Sequence, residues 1–379
     1  MMNRNGLIVL SALLHLYIGA RLVPPLIATP LAASLIAGVL VVSAIAIPLG
    51  MMFRRRNGRL YAALQWTGLV MMGLFSSLFV LTLLRDVALL LASLVVALAP
   101  GAIDFDAIRG VTAIAVPLLA LFATVLGYWN ARRTAAIVRV DIPIENLPRG
   151  LDGFIIAQIS DVHVGPTIKG GYVARIVDKV NRLSADMVAV TGDLVDGSVR
   201  ELGRHVAALA LLRSKHGTFF VTGNHEYYSG APAWIRELDR LGVRVLVNEH
   251  VVLTHRDEPL VVAGVTDPSA HHFVSGHRSD PVKAIDGAPI DAIRVLLAHQ
   301  PRSAEAAADA GFHLQLSGHT HGGQFWPWNH FVRLQQPFTA GLRKLRNLWV
   351  YTSRGTGYWG PPKRFGAPSE ITALRLIRA

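Results

Sequence analysis

Seven side chains in the second half of the chain have the donor chemistry of a metal centre: Asp161, His163, Asp193, Asn224, His299, His319 and His321. They stand in five short motifs, in the order Asp161-Val162-His163, Gly192-Asp193, Gly223-Asn224-His225-Glu226, His299 and Gly318-His319-Thr320-His321. Carboxylate and amide oxygens mixed with imidazole nitrogens suit Mn, Fe or Zn. A carboxylate shared by two such cations offsets their mutual repulsion. Two metals about 3.5–4 Å apart can clamp a phosphate ester and activate a water against it. Asp161 and His163, like His319 and His321, are spaced by two and can project from one loop edge, while Gly192 lets the backbone turn tightly before Asp193. Taken singly the motifs are weak, since an isolated Asp-x-His is commonly a pair of surface residues. The ordered set carries the reading.

The elements that must position these residues read as an α/β domain beginning near Ala135. Strands are expected at Phe154–Ile159, Met187–Val190, Thr218–Val221, Val243–Val247, Leu260–Ala263, Arg294–Leu297, His313–Leu316, Leu348–Thr352 and Ile371–Leu376. Helices are expected at Tyr172–Leu183, Val199–Leu212 and Trp234–Leu241. Each motif follows a predicted strand, and in layered α/β folds ligands gather at the carboxyl ends of strands. The segment from about Asp267 to Ile293, with His271, His272 and His277, reads as a polar surface loop or lid.

The first part of the chain is different. The protein is 52% hydrophobic and 16% charged, too apolar for an ordinary soluble enzyme. The excess lies in residues 1–130, which hold no Lys, no Glu and three acids, Asp86, Asp104 and Asp106. Four membrane spans are expected, at about Leu7–Val23, Leu31–Phe53, Leu60–Leu84 and Val111–Tyr128. The apolar stretch Val87–Ala99 extends the third span, lies in the interface, or dips in and returns. The division expected is a helical membrane domain over 1–134 and a second domain over 135–379. Arg54, Arg55, Arg56 and Arg59 crowd one short loop, and Arg132, Arg133 and Arg139 follow the last span. The positive-inside rule then puts the second domain in the cytoplasm of an inner or plasma membrane. Of the net charge of +12, the first 130 residues carry +5 and the remainder +7, which favours anionic lipid head groups as partners. No recognition motif or dense Lys/Arg block points to nucleic acid, so none is expected as a partner. The absence of cysteine fits either side of the membrane.

The five motifs together resemble the calcineurin-like metallophosphoesterase family over roughly Asp141 to Leu376. Gly318-His319-Thr320-His321-Gly322-Gly323-Gln324, with Ser353-Arg354-Gly355-Thr356-Gly357 and Arg364-Phe365-Gly366, is similar to its membrane-associated bacterial members. The resemblance implies two mixed β-sheets in a sandwich flanked by helices, and two divalent metal ions. By that resemblance, Asp161, His163 and His321 would hold one metal, Asn224, His299 and His319 the other, and Asp193 would bridge them. A hydroxide shared by the metals would attack phosphorus in line, and His225 would protonate or stabilise the leaving group.

Asp196 and Glu226, beside the motifs, are expected to support ligands, not to be ligands. Arg354 and Arg364 are candidates for the phosphate through charge-assisted hydrogen bonds. Phe325, Trp326 and Trp328 could line an apolar entrance or pack in a loop core. The function expected is a membrane-anchored phosphoesterase acting on a phosphodiester, pyrophosphate or phosphomonoester, with a lipid-linked substrate in the manner of the family's UDP-diacylglucosamine hydrolases. The alternatives are a membrane scaffold with a vestigial site, or an extracytoplasmic phosphoesterase acting on the cell envelope. Sequence leaves the substrate, the native metals and the oligomeric state open.

Overall fold

The computed structural model describes residues 4–53 and 58–379. The chain divides into two compact units: the residues up to Trp129 together with Gly360–Phe365, and Asn130–Trp359 together with Gly366–Ala379.

The first unit is helical: α1 (Arg4–Leu22), α2 (Pro30–Met52), α3 (Arg59–Leu98) and α4 (Phe105–Arg132). All four are long and apolar enough to cross a membrane. Pro30 opens α2 in its first turn, where a missing N–H costs nothing. The ambiguous stretch Val87–Ala99 continues α3, whose 40 residues extend about 60 Å against a bilayer core of about 30 Å. Part-way along, Arg85 donates to Thr112 Oγ1 at 3.0 Å and to the carbonyls of Arg109 at 3.0 Å and Arg21 at 3.3 Å. Asp86 accepts from the Tyr17 hydroxyl at 2.7 Å and from Arg21 Nε at 2.9 Å. These charged groups on an apolar helix are thus paired. Gly50 and Gly68 let α2 and α3 approach backbone to backbone, and a Cβ at Gly68 would stand 2.6 Å from the Ala46 carbonyl oxygen. Segment Gly360–Phe365 completes this unit. The buried ammonium of Lys363 donates to Gly73 O at 2.8 Å, Ser77 Oγ at 2.6 Å and Thr124 Oγ1 at 3.1 Å. Of the arginines on which the orientation reading rests, Arg54, Arg55 and Arg56 lie outside the described residues.

The second unit runs β1 (Ala136–Ile144), β2 (Ile155–Ile159), α5 (Gly170–Asn181), β3 (Met187–Val190), α6 (Val199–Val206), β4 (Thr218–Phe220), α7 (Asn224–Ser229), α8 (Ala231–Arg240), β5 (Val243–Val245), β6 (Glu249–His255), β7 (Glu258–Gly264), α9 (Pro281–Ala284), β8 (Ile293–Leu297), α10 (Ala304–Asp309), β9 (Leu314–Ser317), α11 (Trp328–Phe331), β10 (Gly341–Leu345), β11 (Leu348–Thr352) and β12 (Glu370–Arg378). Two mixed six-stranded sheets form, in the orders β1-β12-β2-β3-β4-β5 and β10-β11-β9-β8-β7-β6. Strands β2 to β5 are mutually parallel, as are β7, β8, β9 and β11, with β6 and β10 antiparallel at the two edges of the second sheet. Ile156, Met187 and Phe219 from one sheet meet Val262, Val295 and Leu316 from the other in a shared core. The outer face of the first sheet packs under α5, α6 and α8 through Ile176, Val206 and Trp234. Ala284, Ala304 and Ala307 cover the second sheet from α9 and α10.

The sandwich and its flanking helices agree with the expected fold class. Three strands were not foreseen, β1, β6 and β10. The helix expected over Val199–Leu212 is regular only to Val206 and then tightens into a 3₁₀ turn over Ala207–Leu211. The polar segment after Asp267 is mostly loop, with one turn at Ala270–His272 and the short α9.

Candidate metal centre

The carboxyl ends of β2, β3, β4, β8 and β9 converge, because parallel strands in two facing sheets deliver the loops that follow them to one end of the sandwich. Asp161 and His163 follow β2, Asp193 follows β3, Asn224 and His225 open α7 after β4, His299 follows β8, and His319 and His321 follow β9. The donor atoms of Asp161, His163 and His321 lie within 4.8 Å of one another, and so do those of Asp193, His299 and His319. A third such group, His163, Asp193 and His225, links the two. The loops bend sharply to do this. Asp161, His163, Asp193, His319 and His321 all have left-handed backbones, with φ between 51° and 68°. Such conformations are uncommon for residues other than glycine and cluster at functional sites.

Each side chain is aimed by a neighbour. Asp161 takes the Ser160 hydroxyl at 2.5 Å and the His319 backbone N–H at 3.0 Å. His299 Nδ1 faces the Thr191 carbonyl at 2.8 Å and therefore donates there, which leaves Nε2 turned toward Asp193 Oδ2 at 3.2 Å. Asp193 Oδ1 accepts the His225 backbone N–H at 2.9 Å. Asp196 Oδ1 receives two imidazoles, His163 Nδ1 at 3.2 Å and His225 Nδ1 at 2.5 Å. Fully buried Glu226 accepts the backbone N–H groups of Gly223 at 2.7 Å, Asp193 at 2.9 Å, Leu194 at 2.8 Å and Val195 at 3.3 Å. It thereby ties the β3 and β4 loops together. Two glycines are required by space here: a Cβ on Gly223 would collide with Asp193 Oδ1, and one on Gly318 with Ser160 Oγ and Asp161 Oδ2.

The electrostatics are those of buried acids among imidazoles. Burial raises the pKa of Asp161. Burial acts the same way on Asp193, but the neighbouring His299 and His225 overcome it and hold that carboxyl well below the usual range. Burial opposes a charge on His225, yet Asp193 and Asp196 prevail and lift it to about 9. Burial, with His299 beside it, pushes His319 down to about 3.

The residues present fit divalent cations. His163 Nε2 faces His321 Nε2 at 3.1 Å, and His299 Nε2 faces His319 Nδ1 at 3.2 Å. His163 Nδ1 and His299 Nδ1 each face an oxygen acceptor, so in the neutral ring Nε2 is the lone pair, free to serve as a ligand atom. Asn224 Oδ1 is buried with no hydrogen-bond partner among the described residues, although such atoms are nearly always satisfied.

Comparison with known proteins agrees with this geometry. The sequence profile of the calcineurin-like phosphoesterase family matches residues 154–323. The chain is 35% identical over 262 residues to a metallophosphoesterase of Campylobacter jejuni, covering 68% of each chain. It is 32% identical to one of Aquifex aeolicus, covering 67% of this chain and 97% of that one. The chain belongs to the calcineurin-like metallophosphoesterase family. It is also 41% identical over 279 residues to a Bos taurus transmembrane protein with metallophosphoesterase domain, covering 69% of this chain. It spans 63% of the length of that relative.

Of the residues picked from sequence, the metallophosphoesterase loops gather Asp161, His163, Asp193, Asn224, His225, His299, His319 and His321 at one end of the sandwich. Arg354 lies nearby, its side-chain carbons against Gly322 and its guanidinium on buried Glu370 at 2.7 Å. Arg364 belongs to the segment grouped with the helical unit, where its backbone N–H donates to the Gly127 carbonyl. Phe325 is buried, while Trp326 and Trp328 are about 40% exposed. Sequence reasoning missed two residues against His225, Tyr228 and Trp359, and gave no role to Gln324, which it quoted only within its motif and which bonds to Trp359. Tyr228 follows His225 by three positions on α7, a spacing that brings side chains onto one helix face. Trp359 has no comparable signal.

Proposed function

We propose that this protein is a membrane-anchored, metal-dependent phosphoesterase. Asp161, His163 and His321 are its ligands for one divalent cation, Asn224, His299 and His319 for a second, and Asp193 serves both. The observation that carries the reading is the pair of His–carboxylate clusters in left-handed loops, their imidazole nitrogens turned toward each other. The bound cations supply water activated near neutral pH and polarisation of the phosphoryl oxygens. Around them the chain's own groups divide the remaining work. His225, its Nδ1 held by the Asp196 carboxylate, would offer a proton at Nε2 to the leaving oxygen. Asp196 fixes the ring by taking Nδ1. Arg354, whose side-chain carbons lie against Gly322, is the candidate charge-assisted donor to the phosphate.

The substrate class we infer is a phosphodiester, pyrophosphate or phosphomonoester on a lipid-linked molecule. Four membrane-spanning helices hold the domain at a bilayer, where tethering raises the local concentration of such a substrate. The arginine distribution supports a cytoplasmic site. The test is hydrolysis of a chromogenic phosphodiester and its monoester by full-length protein, with and without Mn²⁺, together with measured metal content, beside Asp193→Asn. Metal-dependent turnover lost in the variant is expected. Protein that binds no divalent metal and turns over neither ester would refute the reading and favour the scaffold. A C-terminal fusion reporter active only outside the cytoplasm would move the site to the cell envelope.

A further inference from the structure

The surroundings of His225 are unlike the rest of the centre. On one side its ring meets carboxylates and imidazoles. On the other, Tyr228 stands edge-on with its ring centroid 5.2 Å away and Trp359 edge-on at 5.9 Å. Phe273 packs edge-on against Tyr228 at 5.5 Å and widens the aromatic surface. None of the three is a core residue: Tyr228, Trp359 and Phe273 are 51%, 50% and 51% exposed. Two half-wet aromatic rings beside one titratable side chain, with a third packed against one of them, are costly to leave uncovered and offer apolar area at little cost in conformational entropy.

Trp359 is held there by a device that no strand or helix supplies. Gln324 Nε2 donates to the Trp359 carbonyl at 2.8 Å, and the Trp359 N–H donates to Gln324 Oε1 at 2.8 Å. Gln324 is itself buried and has a left-handed backbone with φ 59°. It ends the loop that carries His319 and His321. The loop that brings these two histidines to the centre therefore also fixes the tryptophan. A primary amide is the side chain able both to donate and to accept in this fork; a carboxylate only accepts.

We infer that Tyr228, Trp359 and Phe273 form an apolar slot for the leaving group, with Gln324 as the residue that positions Trp359, so that the site selects phosphoesters carrying an alkyl chain or aryl ring on the leaving oxygen. The inference rests on the phosphoesterase reading, because His225 marks the leaving-group side. A small hydrophilic leaving group would leave all three rings wet, whereas an apolar one covers them and excludes water around the His225 proton.

The test is direct binding of three phosphonates by calorimetry to the full-length, Mn²⁺-loaded protein in lipid nanodiscs, with empty nanodiscs as the blank. The probes are methylphosphonate, octylphosphonate and 1-naphthylmethylphosphonate, in which carbon replaces the leaving oxygen. The octyl and naphthylmethyl probes should bind at least about tenfold more tightly than methylphosphonate. In Trp359→Ala and Tyr228→Ala that ratio should fall by about two- to tenfold each. In Gln324→Glu the ratio should fall while bound manganese stays at the wild-type level. Equal affinity for all three probes, or a ratio unchanged in Trp359→Ala and Tyr228→Ala, overturns the slot while leaving the phosphoesterase standing. Tight octyl binding without tight naphthylmethyl binding assigns the slot to alkyl chains, and the reverse assigns it to aryl rings. Loss of manganese in Gln324→Glu overturns the positioning role of Gln324 alone. Failure of every probe to bind overturns the phosphoesterase reading and the slot with it.

Discussion

Asp196 is the residue on which the proton chemistry should turn. One carboxylate oxygen receives both His225 Nδ1, at 2.5 Å, and His163 Nδ1, at 3.2 Å. Replacing Asp196 with Asn keeps the size and removes the charge. A hydrogen bond to a charged partner is worth about 1.5–3 kcal/mol, so weakening the bond that holds the His225 imidazolium should slow a proton-dependent step by about 10- to 150-fold. The loss should depend on the leaving group. An alcohol must be protonated as it departs, whereas nitrophenolate leaves without help. The assay is therefore kcat on a diester with an alcohol leaving group beside kcat on its p-nitrophenyl counterpart, both at saturating Mn²⁺ to offset any weakening of the cation site through His163. The alcohol substrate should carry most of the loss. An equal loss on both substrates would refute the reasoning, because it would mean that Asp196 acts through His163 and the cation site. A change below about twofold on both would mean that the charge is dispensable.

Two further outcomes follow from the same loops. Gly223→Ala places a Cβ against Asp193 Oδ1, so we expect bound manganese to fall and the protein to lose about 1–3 kcal/mol to overpacking; wild-type metal content and melting temperature would contradict this. In metal-free protein His225 should titrate near 9, above its ordinary value of 6.5, as followed by imidazole nitrogen shifts with His225→Gln for assignment. A raised histidine stabilises the fold fully below pH 6.5 and loses that contribution as pH rises through about 9. Metal-free His225→Gln should therefore show a flatter decline of melting temperature across that window, and a decline as steep as wild type would count against the assignment.

The sequence made the buried strands visible and hid three of the four edges, β5 being the exception. Met187–Val190 is apolar throughout because a parallel strand covered on both faces has no side that water can reach. By contrast β10, Gly341–Leu345, carries Arg343 and Lys344 on an exposed edge, and β6 turns Glu249 and Thr254 to water. Such strands are defined by their ladder bonds, and charge on them discourages further pairing, so their composition resembles loop. β1 was missed for a related reason: Arg139 and Asp141 face solvent on an outer strand. At the site the donor residues were legible because the chemistry demands particular side chains. Their supports were not. The Gln324–Trp359 fork joins residues 35 positions apart through one side chain, and nothing in either residue's neighbourhood announces the other. Glu226 could be placed beside the ligands from sequence, but its four backbone donors come from two loops whose approach only the fold reveals.

The left-handed residues explain how such a site is held ready. Each non-glycine residue in that region costs on the order of 1–2 kcal/mol, and five of the candidate ligands sit there. A cation alone need not carry that cost, because the loops bond to one another. Asp161 N donates to Gly192 O at 3.0 Å, His163 N to Asp193 O at 3.1 Å, Gly318 N to His299 O at 2.9 Å, and Gly357 N to Asp161 O at 3.0 Å. Each of these bonds ties one ligand-bearing loop to the backbone of another loop at the site. Strain in one loop is thus opposed by its neighbours and, behind them, by the core between the two sheets. The directions of these candidate ligands are consequently properties of the protein backbone, and a divalent cation would enter a geometry that the fold has already fixed.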